Sequence, residues 1–192
     1  MNEPLVIDKS STALVAIDLQ RGIVSVPSQP HPANAVVANA AKLAKAFRKN
    51  TMPVFLVRVT PSADEKDRLK PIADQPPLNV HRPANWAEIV PELGPEQGDF
   101  VITKRQWGAF TGTELDLQLR RRGIATIVLC GISTNMGVES TARFAFEYGY
   151  QQIFVEDATS ARAENEHTHT MTTTFARLGR VRTTEDVLAA LA

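Results

Sequence analysis

The segment from Ile127 to Arg143 does most to limit what this chain can become. Ile127, Val128 and Leu129 form an apolar run that opens on Gly131, the pattern of a buried strand ending in a turn. Beyond it, Thr134 or Asn135 can cap a helix that carries Glu139 close to its start. A strand that passes through a short loop into a helix exposes backbone N–H groups at the carboxyl end of a parallel sheet. Open α/β sheets bind ligands there, and a helix N-terminus favours negative charge.

The rest of the chain repeats this alternation. Thr12 to Leu19 is apolar without a two-residue rhythm, as expected of a strand covered on both faces. Asp18 sits at its carboxyl end. Val36, Val37, Ala40, Leu43 and Phe47 recur at helical spacing within Ala33 to Asn50. Strands are expected at Val54 to Val59, Phe100 to Thr103, Gln152 to Glu156 and Arg180 to Arg182. Helices are expected at Thr113 to Arg122, Asn165 to Leu178, and from Thr184, as cap, through Leu191. The stretch 61–98 holds Pro61, Pro71, Pro76, Pro77, Pro83, Pro91 and Pro95, with a short helix expected near Asn85 to Val90. A long excursion of this kind is functional or mobile, here a segment that covers substrate or touches another subunit, or a plain surface loop. Strands alternating with helices predict an α/β fold: a three-layer open, mostly parallel six-stranded sheet with helices on both faces and right-handed crossovers. Residues 1–192 read as one domain.

Composition narrows the partners. With 21 basic and 21 acidic residues the formal net charge is +0, which argues against nucleic acid or an anionic membrane surface. Arg120-Arg121-Arg122 reads as a solvated helix end. A single cysteine permits no intrachain disulfide, which fits a reducing compartment. The N-terminus lacks a signal-peptide layout and no apolar run approaches membrane-spanning length. A cytoplasmic protein acting on a small molecule is expected.

Three motifs, in order, resemble the isochorismatase-like hydrolase superfamily, also called the cysteine hydrolases. They are Ala16-Ile17-Asp18-Leu19-Gln20, then Lys104 with Ala109-Phe110-Thr111-Gly112-Thr113, then Gly131-Ile132-Ser133-Thr134-Asn135-Met136-Gly137-Val138-Glu139-Ser140-Thr141-Ala142. The resemblance spans about residues 10 to 185. It implies strand order 3-2-1-4-5-6, so that Asp18 and the 131–137 loop face each other, and a homo-oligomer. It also implies Asp18 as acid/base and Lys104 as its electrostatic partner. A cis peptide before Ser133 is implied, with the Ser133 and Gly137 N–H groups as an oxyanion hole. The lysine would lower the aspartate's pKa and burial would raise it. Which effect wins decides whether Asp18 is an acid at neutral pH.

One residue departs from the pattern: Gly137 stands where most members carry the nucleophilic cysteine. Thioester chemistry is excluded at that position. Cys130, inside the strand, reads as core. True isochorismatases also lack the cysteine and several have glycine, hydrolysing a vinyl ether by protonation from the aspartate. They typically carry a Tyr-Ala-His-like loop, whereas this chain has Ser133-Thr134-Asn135. The expectation is therefore a hydrolase of vinyl-ether or activated C–N or C–O bonds, in a subgroup with glycine at the nucleophile position. The alternative is a silent member that binds a small carboxylate or acts as an interaction protein. Gln20, Trp107, Phe110, Thr134 and Asn135 are candidate pocket residues, although Trp107 and Phe110 can equally be core or subunit contacts, and Thr134 can be loop-forming or capping. Arg162 can meet an acidic substrate or Glu164. None of His31, His81, His167 and His169 forms the Asp-x-His metal cluster of nicotinamidases. No metal and no cofactor are expected, and the histidines read as solvated or capping.

Overall fold

The computed structural model describes residues 4–75 and 82–192. Six strands form one all-parallel sheet in the order β3-β2-β1-β4-β5-β6. They are β1 (Thr12–Ile17), β2 (Val54–Val59), β3 (Phe100–Lys104), β4 (Thr126–Ile132), β5 (Gln151–Ser160) and β6 (Arg180–Arg182). The helices are α1 (Arg21–Val24), α2 (Ala33–Lys49), α3 (Leu115–Arg121), α4 (Glu139–Glu147), α5 (Glu164–His169), α6 (Ala176–Leu178) and α7 (Thr184–Ala190). A wide helical turn, Thr134–Val138, leads into α4, and a second, Thr170–Phe175, joins α5 to α6.

Side-chain alternation along each strand divides the core in two. Leu14, Ala16, Leu56, Val128, Cys130, Ile153 and Val155 pack with the apolar stripe of α2 and with Val187 of α7. Ala13, Val15, Ile17, Val57, Ile127, Leu129 and Phe154 pack with α3, α4 and Phe175. Both faces are covered, which explains why β1 carries no polar alternation. A fully buried Leu or Phe contributes about 1.5–3 kcal/mol, and these two layers hold most of them.

Several expected boundaries shift. No helix forms near Asn85 to Val90. Pro83 and Pro91 bracket a stretch of isolated turns, with Trp86 N–H on Pro83 O and Glu88 N–H on Asn85 O. The stretch gains no continuing helical turn, because Pro91 disfavours the α conformation at Val90 just before it. It instead contributes Ile89 to an antiparallel bridge with Gln20. Part of the proline-rich excursion, 76–81, lies outside the described residues. β5 runs past Glu156 to Ser160, because its pairing with β4 shifts register between Leu129 and Gly131 and then resumes. The last helix is capped by Thr183 rather than Thr184. Thr183 Oγ1 accepts from Asp186 N–H, while Thr184 donates to Asp157.

At Gly131, β4 lies against Ile17 of β1 with no room for a side chain. The Gly131 φ is +126°, and a Cβ there would lie 2.1 Å from Ile17 O. Neither the backbone conformation nor the spacing admits a side chain. Gly131→Ala should therefore cost more than about 2 kcal/mol in urea unfolding. A loss below about 0.5 kcal/mol would show that the two strands can separate without penalty.

Candidate active site

The order of strands puts the carboxyl ends of β1 and β4 side by side, and the site is built there. Asp18 follows β1 with φ 54°, a left-handed conformation that aspartate tolerates better than most residues. Its N–H donates to Val57 O and its C=O accepts from Gln20 N–H, both at 2.8 Å. The turn so fixed aims the carboxyl at the loop after β4. Lys104, the last residue of β3, is 1% exposed, and its Nζ lies 2.8 Å from Asp18 Oδ2. Nζ also donates to Trp107 O. Asp18 itself is 6% exposed. Burial raises its pKa, and the charge and hydrogen bond of Lys104 only partly offset this. Asp18 Oδ1 is buried without a hydrogen-bond partner. One carboxyl oxygen is therefore held and the other is left open.

Gly137 closes over this pair. A Cβ at Gly137 would stand 2.9 Å from Asp18 Oδ2 and 3.1 Å from Lys104 Nζ. The missing side chain is thus the space that the ion pair fills. The Ile132–Ser133 peptide is cis, as the resemblance implies. Ser133 O accepts from the N–H groups of Met136 and Val138. The expected side-chain cap is absent, since Ser133 precedes the first helical turn and makes no capping bond.

A cavity of about 330 Å³ opens in front of these groups, with Asp18, Ser133 and Gly137 among its lining. Its walls carry four guanidinium groups, from Arg68, Arg82, Arg105 and Arg162, and Asp18 is the one acidic residue among the described lining. Arg105 pairs with Asp67 at 2.8 Å, and Arg68 and Arg82 approach Glu65 at 3.3 and 3.9 Å. Arg162 does not pair with Glu164. Its guanidinium donates to the carbonyls of Ile23, Val26 and Pro27.

Of the candidate pocket residues, Trp107 lines the cavity. Gln20 is buried behind it, its amide spanning Val59 and Trp86 O, so it ties β1, β2 and the 86 turn together. Phe110 faces the other way, packing on Tyr150 in the core and edge-on against the exposed Tyr148. Thr134 Oγ1 meets His167 Nδ1 at 2.8 Å, and Asn135 Oδ1 accepts from Ser133 Oγ. Neither lines the cavity. His167 is 1% exposed, which corrects its reading as solvated or capping. With His31 and Glu156 it forms a cluster whose ligand atoms lie within 4.8 Å of one another. No local pattern marks this cluster, because its members are far apart in sequence. Of the cavity arginines, Arg162 is named from sequence as a contact for an acidic substrate, whereas Arg68 and Arg82 come from the irregular excursion and Arg105 carries no motif.

Residues 12–186 match the isochorismatase domain, and the chain belongs to this family of hydrolases. It is 54% identical over 190 residues to the isochorismatase family protein YwoC of Bacillus subtilis (strain 168), covering 98% of each chain. It is 31% identical over 180 residues to the ureidoacrylate amidohydrolase RutB of Variovorax paradoxus (strain S110), covering 82% of this chain and 71% of that protein. The structure of an isochorismatase family protein from Burkholderia thailandensis superposes with a TM-score of 0.92 at 48% identity, covering 97% of each chain.

Cys130 is fully buried, and burial pushes its thiol up to about 12. The thiolate is the reactive form. Native protein should therefore resist iodoacetamide at mildly alkaline pH and react only once unfolded. Rapid labelling of the folded protein would remove Cys130 from the core and make it a candidate nucleophile.

Proposed function

We propose that this chain hydrolyses a small anionic molecule without a cysteine nucleophile, in a subgroup with glycine at the nucleophile position. Asp18 is the proton donor and acceptor, Lys104 its electrostatic partner, and the Ser133 and Gly137 amides the anion site. The observation that carries this reading is the buried Asp18–Lys104 pair under Gly137, with Asp18 Oδ1 unpartnered beside a cavity. A carboxyl with a raised pKa holds its proton where an ordinary one has lost it, which suits it to act as an acid. Protonation of a vinyl-ether carbon, or of the leaving group of an activated C–N or C–O bond, needs that group and a water as nucleophile. Arg68, Arg82 and Arg105 line the cavity, each with one acidic partner outside the lining, and they support a substrate that carries a carboxylate, whereas Arg162 is held by backbone carbonyls.

The absence of a thiol from the described cavity lining favours a second reading. In it the pocket binds a small carboxylate and performs no chemistry. The two readings part on one experiment. Carboxylate-bearing vinyl ethers, amides and esters, each with a neutral counterpart, are assayed with wild type and Asp18→Asn. We expect turnover of an anionic member by wild type and an approximately 100- to 10,000-fold loss in the folded Asp18→Asn protein. Near-wild-type turnover by Asp18→Asn would take Asp18 out of the mechanism. Tight binding across the panel with no turnover by wild type would favour the binding protein.

A further inference from the structure

A second group of convergent side chains lies behind the Ser133–Gly137 loop. Glu156 projects from β5, His167 from α5, and His31 from the segment before α2. Both histidines turn Nε2 toward the same carboxylate oxygen. Glu156 Oε1 stands 2.8 Å from His31 Nε2 and 3.2 Å from His167 Nε2. The rings meet nearly edge to face, with centroids 5.5 Å apart and planes at 83°. His167 is buried, while the side chains of His31 and Glu156 are 28% and 35% exposed. Three ligand atoms therefore converge from one closed side and leave the other side open to solvent.

We propose that His31, Glu156 and His167 bind a divalent transition-metal ion of the zinc and cobalt class. Two imidazoles and one carboxylate form a donor set that such ions prefer over calcium or magnesium, which take oxygen ligands. The spacing fits as well. Ligand atoms about 2.0–2.1 Å from an ion, at tetrahedral or octahedral angles, stand about 2.9–3.4 Å apart. The two nitrogen-to-oxygen separations observed, 2.8 and 3.2 Å, need shifts of only a few tenths of an ångström, and all three ligand atoms lie within 4.8 Å of one another, so that the partly exposed His31 ring can swing to complete the set. The proton balance is local. A neutral imidazole that donates from Nε2 moves its proton to Nδ1 when the metal takes Nε2. For His167, Nδ1 already faces Thr134 Oγ1 at 2.8 Å, which then accepts the Nδ1–H. A ligating histidine fixed through its other nitrogen is the usual support of a metal site.

This site is separate from the reaction assigned to Asp18 and adds something to the wall of its cavity. The 23–31 segment is already held against the end of β5. Gln29 and Ala161 exchange backbone hydrogen bonds, and Arg162 donates to three carbonyls of the segment. Ile23 and Val26 line the cavity. An ion on His31, Glu156 and His167 would join this wall to α5, and through Thr134 to the start of the anion loop.

The test uses the full chain, stripped with chelator and titrated with Zn²⁺ by calorimetry and with Co²⁺ by visible absorption. We expect saturable uptake of one ion per chain, with Co²⁺ ligand-field bands and a higher melting temperature. His31→Ala and Glu156→Gln should each weaken binding by about tenfold or more while remaining folded. His169→Ala, on an exposed side chain, should not change it. His31 is the safer probe because its ring is partly exposed, whereas loss of buried His167 threatens folding. Absence of stoichiometric uptake would overturn the proposal. So would uptake that His31→Ala and Glu156→Gln leave unchanged, or that His169→Ala abolishes.

Discussion

The contact between Asp18 Oδ2 and Lys104 Nζ is the interaction that the carboxyl end of this sheet is arranged to hold. Two charges removed from water each lose several kcal/mol of hydration, and only close pairing offsets the loss. Here the compensation is incomplete on one side. Lys104 has both Asp18 and the Trp107 carbonyl, whereas Asp18 keeps an oxygen with no partner. Burial therefore wins and the aspartate's pKa is raised. A carboxyl raised in this way contributes most to stability below its ordinary pKa, and that contribution fades as pH rises through its folded value. The fold thus keeps at its cavity a carboxyl whose burial favours the protonated form, which is the property a general acid needs.

Topology explains how three distant parts of the chain meet. β1, β3 and β4 deliver Asp18, Lys104 and the Ser133–Gly137 loop from three well-separated parts of the chain. The order β3-β2-β1-β4 places the reversal of direction between β1 and β4, where a crevice opens. Gly131 allows β4 to approach β1, and Gly137 leaves room for the ion pair. The two glycines act differently. The first is imposed by backbone conformation and by the Ile17 carbonyl, whereas at the second a side chain would meet the movable ends of Asp18 and Lys104.

Much of this was legible in the residues because it rests on periodicity and local motifs. The apolar residues of β2 gave that strand to the residue, and Val36 to Phe47 gave α2, since burial on a parallel sheet leaves little choice of pattern. Asp18, Lys104 and the 131–142 loop were readable through their order along the chain. What escaped depends on long-range geometry. The direction of Phe110 and the anchoring role of Gln20 follow from packing that no short pattern encodes. The extension of β5 comes from a register shift against β4. Arg68, Arg82 and Arg105 at the cavity, and the His31–Glu156–His167 cluster, join segments whose meeting is set by the finished fold.

The central claim is that burial outweighs Lys104 in setting the proton affinity of Asp18. The most direct measurement is a carbon-detected NMR titration of the Asp18 carboxyl in the folded protein, assigned by its absence in Asp18→Asn. The account predicts a midpoint clearly above the ordinary value of 3.8. A midpoint at or below 3.8 would mean that the lysine dominates and that Asp18 is a permanent anion, unable to serve as the acid.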